Sequence, residues 1–387
     1  MSIMMGVLSP SDLVFTEATP QQRMINWRIN GGVWAAPLTV DDYVAREAAL
    51  AETPLSRNGN SRFWVLHRRD NPDDIVSSCE TTRKPALVCG GGARMRGGTA
   101  GTSDPVVKLD GPDGERTASR VRRVDAYSVA CVHTHPRYRA RGMAALLLSK
   151  IQELFDKQGV ECSVLYSDTG RQYYAQMGWE VHPSQQANFY MENGCEAVEK
   201  PEGVRFLTKD EIPPLCERDA LAVAQRLEMQ PEDGLTHFAL EPSFAQCSWH
   251  FAREEFNAKV LAGRPIERRG AITASGDAWV YWDHDFKRSK LRIQRVVALG
   301  PDPVMDVREL VTAALEEAQA WGLQRVMLWN PSDDVTLGLK AAGNKLEGKV
   351  KLVFDERWER AIPSLRWRKG MNVGEVVWQE NEYYAWC

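Results

Sequence analysis

Few folds accommodate residues 124–157, VDAYSVACVHTHPRYRARGMAALLLSKIQELFDK. The stretch opens as a strand with Val124, Ala126, Val129, Cys131 and Val132 apolar, and closes as an amphipathic helix with Met143, Leu146, Leu147, Ile151, Leu154 and Phe155 on one stripe. The junction, Arg139-Ala-Arg141-Gly142-Met-Ala144, is an R-x-x-G-x-A turn. A strand that feeds a Gly-containing turn directly into a helix presents free backbone N–H groups at the positive end of the helix dipole. Such a nest suits a pyrophosphate, and Gly142 lets it approach closely. Seven Arg (116, 120, 122, 123, 137, 139, 141) and one acid, Asp125, give residues 116–141 a local charge of +6. The whole chain, with 48 Lys+Arg against 52 Asp+Glu, carries −4, so this loop singles out a small polyanionic ligand. Taken alone, a turn of this kind also occurs in ordinary strand–helix connections. G-x-G-x-x-G and P-loop fingerprints are absent. Basic residues confined to one loop, without interleaved aromatics, do not make a nucleic-acid surface.

At 387 residues the chain has room for two or three domains, and its 43% apolar and 26% charged content is that of a globular protein. No uncharged apolar run approaches the ~20 residues of a membrane span. The eight cysteines include no C-x-x-C pair and no zinc spacing, so no metal is expected. Cys131 and Cys162 sit inside apolar strand runs, as reduced core thiols do, and no secretory signal is evident. A cytoplasmic location is the expectation. The compositional oddity is 13 Trp, ten of them after residue 178, which suits large buried surfaces or the walls of an organic pocket.

Strand 12–18, helix 39–52 and a hairpin from 63–67 and 75–82 precede a Gly-rich stretch, 89–118, without periodicity. A second strand, 163–166, leads to a short helix holding Tyr173-Tyr174-Ala-Gln-Met-Gly178-Trp179. The polar stretch 193–203 divides the chain into expected domains 1–195 and 200–387. Strand 290–299, helix 305–321, strand 325–329 and helix 333–342 then repeat the order of residues 124–179.

The R-x-x-G-x-A turn followed by strand, helix and Y-x-x-x-G-W resembles the GCN5-related N-acetyltransferase (GNAT) superfamily over roughly residues 12–190. Ser78-Cys79-Glu80-Thr81, Leu165-Tyr166-Ser167-Asp168 and Asn381-Glu-Tyr-Tyr-Ala-Trp-Cys387 are similar to the fungal lysine N6-acetyltransferases of lysine catabolism. The resemblance implies an α+β, three-layer GNAT fold and transfer of acetyl from acetyl-CoA to a small amine, foremost the ε-amine of free L-lysine. It places the pantetheine arm along Cys131, Val132, His133 and Thr134. The pyrophosphate falls on Arg139, Ala140, Arg141, Gly142, Met143, Ala144 and Ala145. Tyr174 stands where the family has the acid that protonates the departing thiolate.

A Lys ammonium has an ordinary pKa near 10.4, so attack needs a base. Glu80, His133, His135 and the C-terminal carboxylate of Cys387 are the candidates. In the second half the turn equivalent to R-x-x-G-x-A is Gly300-Pro-Asp-Pro-Val, and Leu339 replaces Tyr174. Two prolines and an acid cannot form a phosphate nest, so this half reads as a degenerate GNAT-like domain that shapes the acceptor site. Glu80 with Trp249 and His250 are the expected acceptor contacts, and Trp282, Asp283 and Glu382 are further polar candidates. Another small amine as acceptor, and a non-catalytic acyl-CoA sensor, remain alternatives.

Overall fold

A computed structural model describes residues 9–90, 119–192, 194, 196–368 and 375–386. The first half runs β1 (Leu13–Glu17), α1 (Pro20–Trp34), α2 (Val40–Ala51), β2 (Ser61–Arg68), β3 (Asn71–Gly90), β4 (Arg122–Thr134), α3 (Met143–Gln158), β5 (Cys162–Ser167), α4 (Gln172–Ala175), β6 (Glu180–Val181) and β7 (Gln185–Met191). The chain continues through β8 (Val204–Leu207), α5 (Ile212–Glu228), β9 (Thr236–Leu240), α6 (Phe244–Leu261), β10 (Gly270–Thr273), β11 (Ala278–Asp285) and β12 (Lys290–Ala298). It closes with α7 (Pro303–Ala320), β13 (Arg325–Trp329), α8 (Asp333–Lys345), β14 (Val350–Glu356), β15 (Ile362–Trp367) and β16 (Val376–Trp378). Most of the Gly-rich stretch 89–118 and Cys387 lie outside the described residues.

Helix α1 has no apolar stripe to announce it: its inner face buries Gln22, Asn26 and Asn30 beside Trp27. Local chemistry fixes its start instead. Thr19 and Gln22 form a reciprocal capping box and Pro20 occupies the first turn. The strand–helix–strand–helix order of 124–179 recurs at 290–345, and in both copies the two strands pair in parallel.

Two sheets result. The first is ordered β1-β2-β3-β4-β5-β15-β6, with β9 paired to β3 and β16 to β9. The second is ordered β14-β7-β13-β12-β11-β10-β8. The halves therefore exchange strands: β15 from the end of the chain lies beside β5, while β7 from the first half lies between β13 and β14. A boundary at 195–200 falls between β7 and β8, both of which belong to the second sheet.

Packing follows the same plan. Leu147, Leu148, Ile151 and Phe155 of α3 pack on Val76, Val129 and Leu165 of the first sheet. Leu310, Val311, Ala314 and Leu315 of α7 pack on Val280, Leu291 and Ile293 of the second. A third core, with Trp279, Tyr281, Phe238, Leu365, Trp378 and Tyr384, contains residues of both sheets and of α5 and α6. Each such buried side chain contributes about 1.5–3 kcal/mol. Trp179, Trp279 and Trp282 are among the largest fully buried side chains, so packing accounts for part of the tryptophan surplus.

Because β15 fills the slot between β5 and β6, residues 1–195 alone leave that slot open. Expressed separately, they are expected to show no cooperative thermal transition. Co-expression with residues 196–387 should restore one, as read by calorimetry.

Candidate active site

The site begins with a mismatch of register. Ser78 of β3 pairs with His133 of β4, yet Glu80 pairs with Ala130, so Cys131 and Val132 stand together opposite Cys79. This is a β-bulge, and it drives Cys131 to a φ of 52°. A left-handed conformation at a residue with a Cβ costs about 1–2 kcal/mol and persists only where the surroundings impose it. The parallel pairing of β4 with β5 ends at Ser128–Val164, and beyond it the strands diverge, while β15 pairs along the whole other edge of β5. The expected pantetheine stretch, 131–134, lies along this opening.

The opening leads to α3. Gly142 caps the helix with φ 74° and ψ 8°, and no side chain caps it. The first intrahelical bond runs from the Leu146 N–H to the Gly142 carbonyl at 2.9 Å, so the amides before it point outward. A Cβ added to Gly142 would meet no atom within 4 Å, which leaves room for a ligand at the backbone. Ala140 is also left-handed at φ 59°, completing a concave turn from Arg139 to Ala145. The acetyl-CoA pyrophosphate fits these residues by donor chemistry and by space.

The arginine cluster is less uniform than its sequence charge implies. Arg120 pairs with Glu228 and Glu232, Arg122 with Glu161, Arg123 with Glu241 and Arg137 with Asp74. Arg139 donates to the Thr134 carbonyl at 3.1 Å and lies 3.3 Å from His133 Nε2. Among the described residues, only Arg139 and Arg141 of this group have no acidic partner. The positive field therefore concentrates at the turn itself. Arg116 lies outside the described residues.

Two side chains flank the opening on opposite faces of the first sheet. Tyr174 belongs to the α3-side core with Cys79, Leu147 and Trp179, and its ring meets Trp179 edge-on at 6.4 Å. Its hydroxyl makes no hydrogen bond to a described residue, and burial, then Tyr173, pushes its pKa upward. It is a protonated phenol with a proton to give. Glu80 lies on the other face, toward α1 and α2. Burial and then the nearby Glu47 raise its pKa to about 7, despite a hydrogen bond from Ser61 and the charges of Arg23 and Lys84. His133 moves the other way, to about 4, through burial and then Arg139, and its ring meets Trp34 edge-on at 5.8 Å. Of these two groups, Glu80 is the one whose pKa suits a base near neutral pH.

The second half supplies a wall. His250 is buried, with Nε2 3.2 Å from the Tyr384 carbonyl and its ring stacked on Trp386 at 6.1 Å. Trp249 meets Trp386 edge-on at 6.3 Å. Tyr383 stacks on the same indole at 5.6 Å, and Lys84 holds the Ala385 carbonyl at 2.7 Å. The remaining polar candidates are structural: Trp282 is core, Asp283 pairs with Arg292, and Glu382 pairs with Arg295. Neither Tyr43 nor Glu47 on α2, nor Arg253 on α6, had a motif to single it out. Their signal was only helical spacing, Arg253 lying four residues from Trp249.

The equivalent opening of the second sheet is edged by the chain's own carboxylates. β12 and β13 diverge beyond Arg292–Met327, and a bulge again offsets the neighbouring strand at Tyr281–Trp282. There Glu382 accepts a hydrogen bond from the Val296 N–H at 3.2 Å, beside a cavity of about 420 Å³ lined by Pro303, Ser332, Asp334 and Glu380. Asp302 caps α7 by accepting from Met305 N at 3.2 Å. A carboxylate of the chain thus sits where the first half leaves helix amides open.

Three solved structures share this architecture. A GCN5-related N-acetyltransferase from Kribbella flavida superposes with a TM-score of 0.50 at 15% identity, over 92% of this chain and 72% of that one. A probable N-acyltransferase from Enterococcus faecalis V583 gives 0.52 at 12%, over 92% and 73%. A GCN5-related N-acetyltransferase from Anabaena variabilis gives 0.51 at 16%, over 92% and 73%. The fold is therefore the GNAT fold, in tandem. No curated protein sequence matches the chain significantly. The profile of the LYC1 GNAT-like C-terminal domain matches residues 190–387, half of the chain, and the protein belongs to that family. It is an acetyltransferase of the GNAT type. Among the described residues, no cluster could hold a metal ion and no helix is long and apolar enough to cross a membrane.

The raised pKa of Glu80 has a sign. The unfolded chain loses this proton near the ordinary 4.5 and the folded chain only near 7, so the contribution to stability falls as pH rises between those values. The melting temperature of Glu80→Gln minus that of the wild type is expected to be greater at pH 8 than at pH 5. An unchanged difference would place Glu80 in a solvated setting.

Proposed function

We propose that this protein transfers acetyl from acetyl-CoA to the amine of a small molecule by direct attack in a ternary complex, with the ε-amine of free L-lysine as the acceptor. The observation that carries the reading is the opening between β4 and β5, which has an ionisable carboxyl on one face and an unbonded phenol on the other. The bulged backbone at 131–134 holds the pantetheine arm and offers amides to the oxyanion. The open amides of 142–145, with Arg139 and Arg141, hold the pyrophosphate. Glu80 accepts a proton from the acceptor ammonium, directly or through water. Its amine attacks the thioester carbonyl, the C–S bond breaks, and Tyr174 gives its proton to the leaving thiolate.

Several observations support an acceptor of modest size bearing positive charge. The carboxyls of Glu80 and Glu47 lie close enough to raise the pKa of the first. On the facing helix, Asn26 Oδ1 and Asn30 Oδ1 are buried and accept no hydrogen bond from the protein. An ammonium satisfies groups of this kind. The lysine assignment draws further on the Ser78–Thr81, Leu165–Asp168 and 381–387 motifs.

The test is release of CoA from acetyl-CoA in the presence of a panel of free amines. L-Lysine should give the highest kcat/KM, and no release with any amine, despite saturable CoA binding, would refute the reading. Tyr174→Phe is expected to lower kcat about a hundredfold with little change in the acetyl-CoA dissociation constant. The wild-type kcat/KM should rise with pH through about 7, and Glu80→Gln should lose that limb along with most of its rate.

A further inference from the structure

We propose that Arg253, on α6, is the seat of a carboxylate carried by the acceptor, so that the site selects amino acids over simple amines. The inference rests on the acceptor reading above and names what holds the far end of that molecule. Arg253 is half-buried, and its guanidinium carbon lies 5.4 Å from the centre of the Trp386 ring. Among the described residues it forms no ion pair. Neighbouring arginines all have acids: Arg46 pairs with Glu47 at 2.6 Å, Arg292 with Asp285 at 3.3 Å, and Arg269 with Glu255 at 2.7 Å. A guanidinium withdrawn from water without a partner is costly, and nearby cations raise that cost. Here burial, followed by the charges of Arg46 and Arg292, disfavours the cation, and Asp285 offsets this only in part. An incoming anion would offset the repulsion from Arg46 and Arg292 and give the guanidinium a partner.

Position connects this arginine to the reacting end. Glu80, Thr82 and Lys84 alternate along β3 without a further bulge, so Glu80 and Lys84 share a face. Lys84 Nζ donates to the Ala385 carbonyl at 2.7 Å, and the next residue is Trp386, whose ring lies beneath Arg253. From the other side α2 packs on α6. Tyr43 of α2 carries Arg46 over its ring at 4.8 Å, and its hydroxyl senses Glu47, Cys131 and Arg253 together. The acceptor region is thus polarised: Glu80 belongs to the first half, beside a Glu47 already paired with Arg46, and the unpaired guanidinium to the second. An amine placed at Glu80 and a carboxylate placed at Arg253 complement that polarity, and the planar guanidinium matches a carboxylate in two parallel hydrogen bonds. A polyamine would instead bring an ammonium against Arg253.

The experiment compares kcat/KM for L-lysine, L-lysine amide and cadaverine, at saturating acetyl-CoA, in the full-length wild type and in Arg253→Gln and Arg253→Lys. The wild type is expected to favour L-lysine over both carboxylate-free amines by roughly a hundredfold. Arg253→Gln should reduce that preference to a few-fold, mainly through KM for L-lysine, and Arg253→Lys should retain part of it. Because the readout is a ratio within one preparation, a partly unfolded variant does not distort it. A wild type without preference, or an Arg253→Gln variant that loses rate equally on all three amines, would overturn the assignment. Failure of every amine in the wild type would instead overturn the acceptor reading itself.

Discussion

The offset that puts Cys131 and Val132 against Cys79 is the constraint on which the rest of the site depends. One extra residue in β4 turns its edge away from β5, and the parallel pairing stops after Ser128–Val164. Without that break, β4 and β5 would stay paired along their length, with no room for a thioester between them. The bulge also resets which faces residues 132–134 of β4 present beyond it, because the side chains of a strand alternate and a one-residue slip reverses their faces. The strain at Cys131 is sustained by long pairing on both sides, with β3 matched to β4 from Val88–Arg122 to Ser77–Thr134.

Around this opening the two halves contribute different electrostatics. The first half supplies carboxyls and buried amide oxygens together with Arg139 and Arg141 at the turn; the second supplies arginines, several of them anchored by deep ion pairs. Arg295 is bound by Asp219 at 2.7 Å and by Glu380 and Glu382, which fixes the closing segment of the chain against β12. Breaking one partner of such a network leaves an uncompensated buried charge, at a cost of about 3–5 kcal/mol. The segment that carries Tyr383 and Trp386 is therefore a rigid wall of the acceptor region, held further by His250, Gln246 and Lys84.

Legibility in the sequence tracked the length scale of each interaction. The strand–turn–helix of 124–157, its repeat at 290–345 and the open helix end at Gly142 all follow from local patterns, and they define the fold class. Helix α1 escaped notice because its inner face is polar: Gln22, Asn26 and Asn30 are buried for reasons that only the fold supplies. The strand exchange was invisible because β7 and β15 are short runs of mixed polarity, and their partners lie more than a hundred residues away. The loop charge of +6 overstated the anion site, since four of its arginines are spent on acids brought near by β-strand pairing and α5. Glu80 could be named from its motif, whereas its raised pKa arises from burial and then from Glu47 on another element.

The second sheet shows that the same geometry need not give the same function. It has the bulge, the diverging parallel strands and the helix that follows, yet Asp302 closes the amides of α7 and Glu382 takes the exposed N–H of Val296. An anionic ligand approaching there would meet carboxylates where the first half offers donors. Burial, Glu380 and Asp219 raise the pKa of Glu382 to about 7, while Arg295 opposes that rise, so its place in the opening is held by hydrogen bonding as well as charge. The second copy thus keeps the geometry of the first and sets the chain's own carboxylates at its opening. Glu382, anchored at β12, thereby fixes the neighbouring Tyr383 and Trp386, whose indole lies against Arg253 of α6.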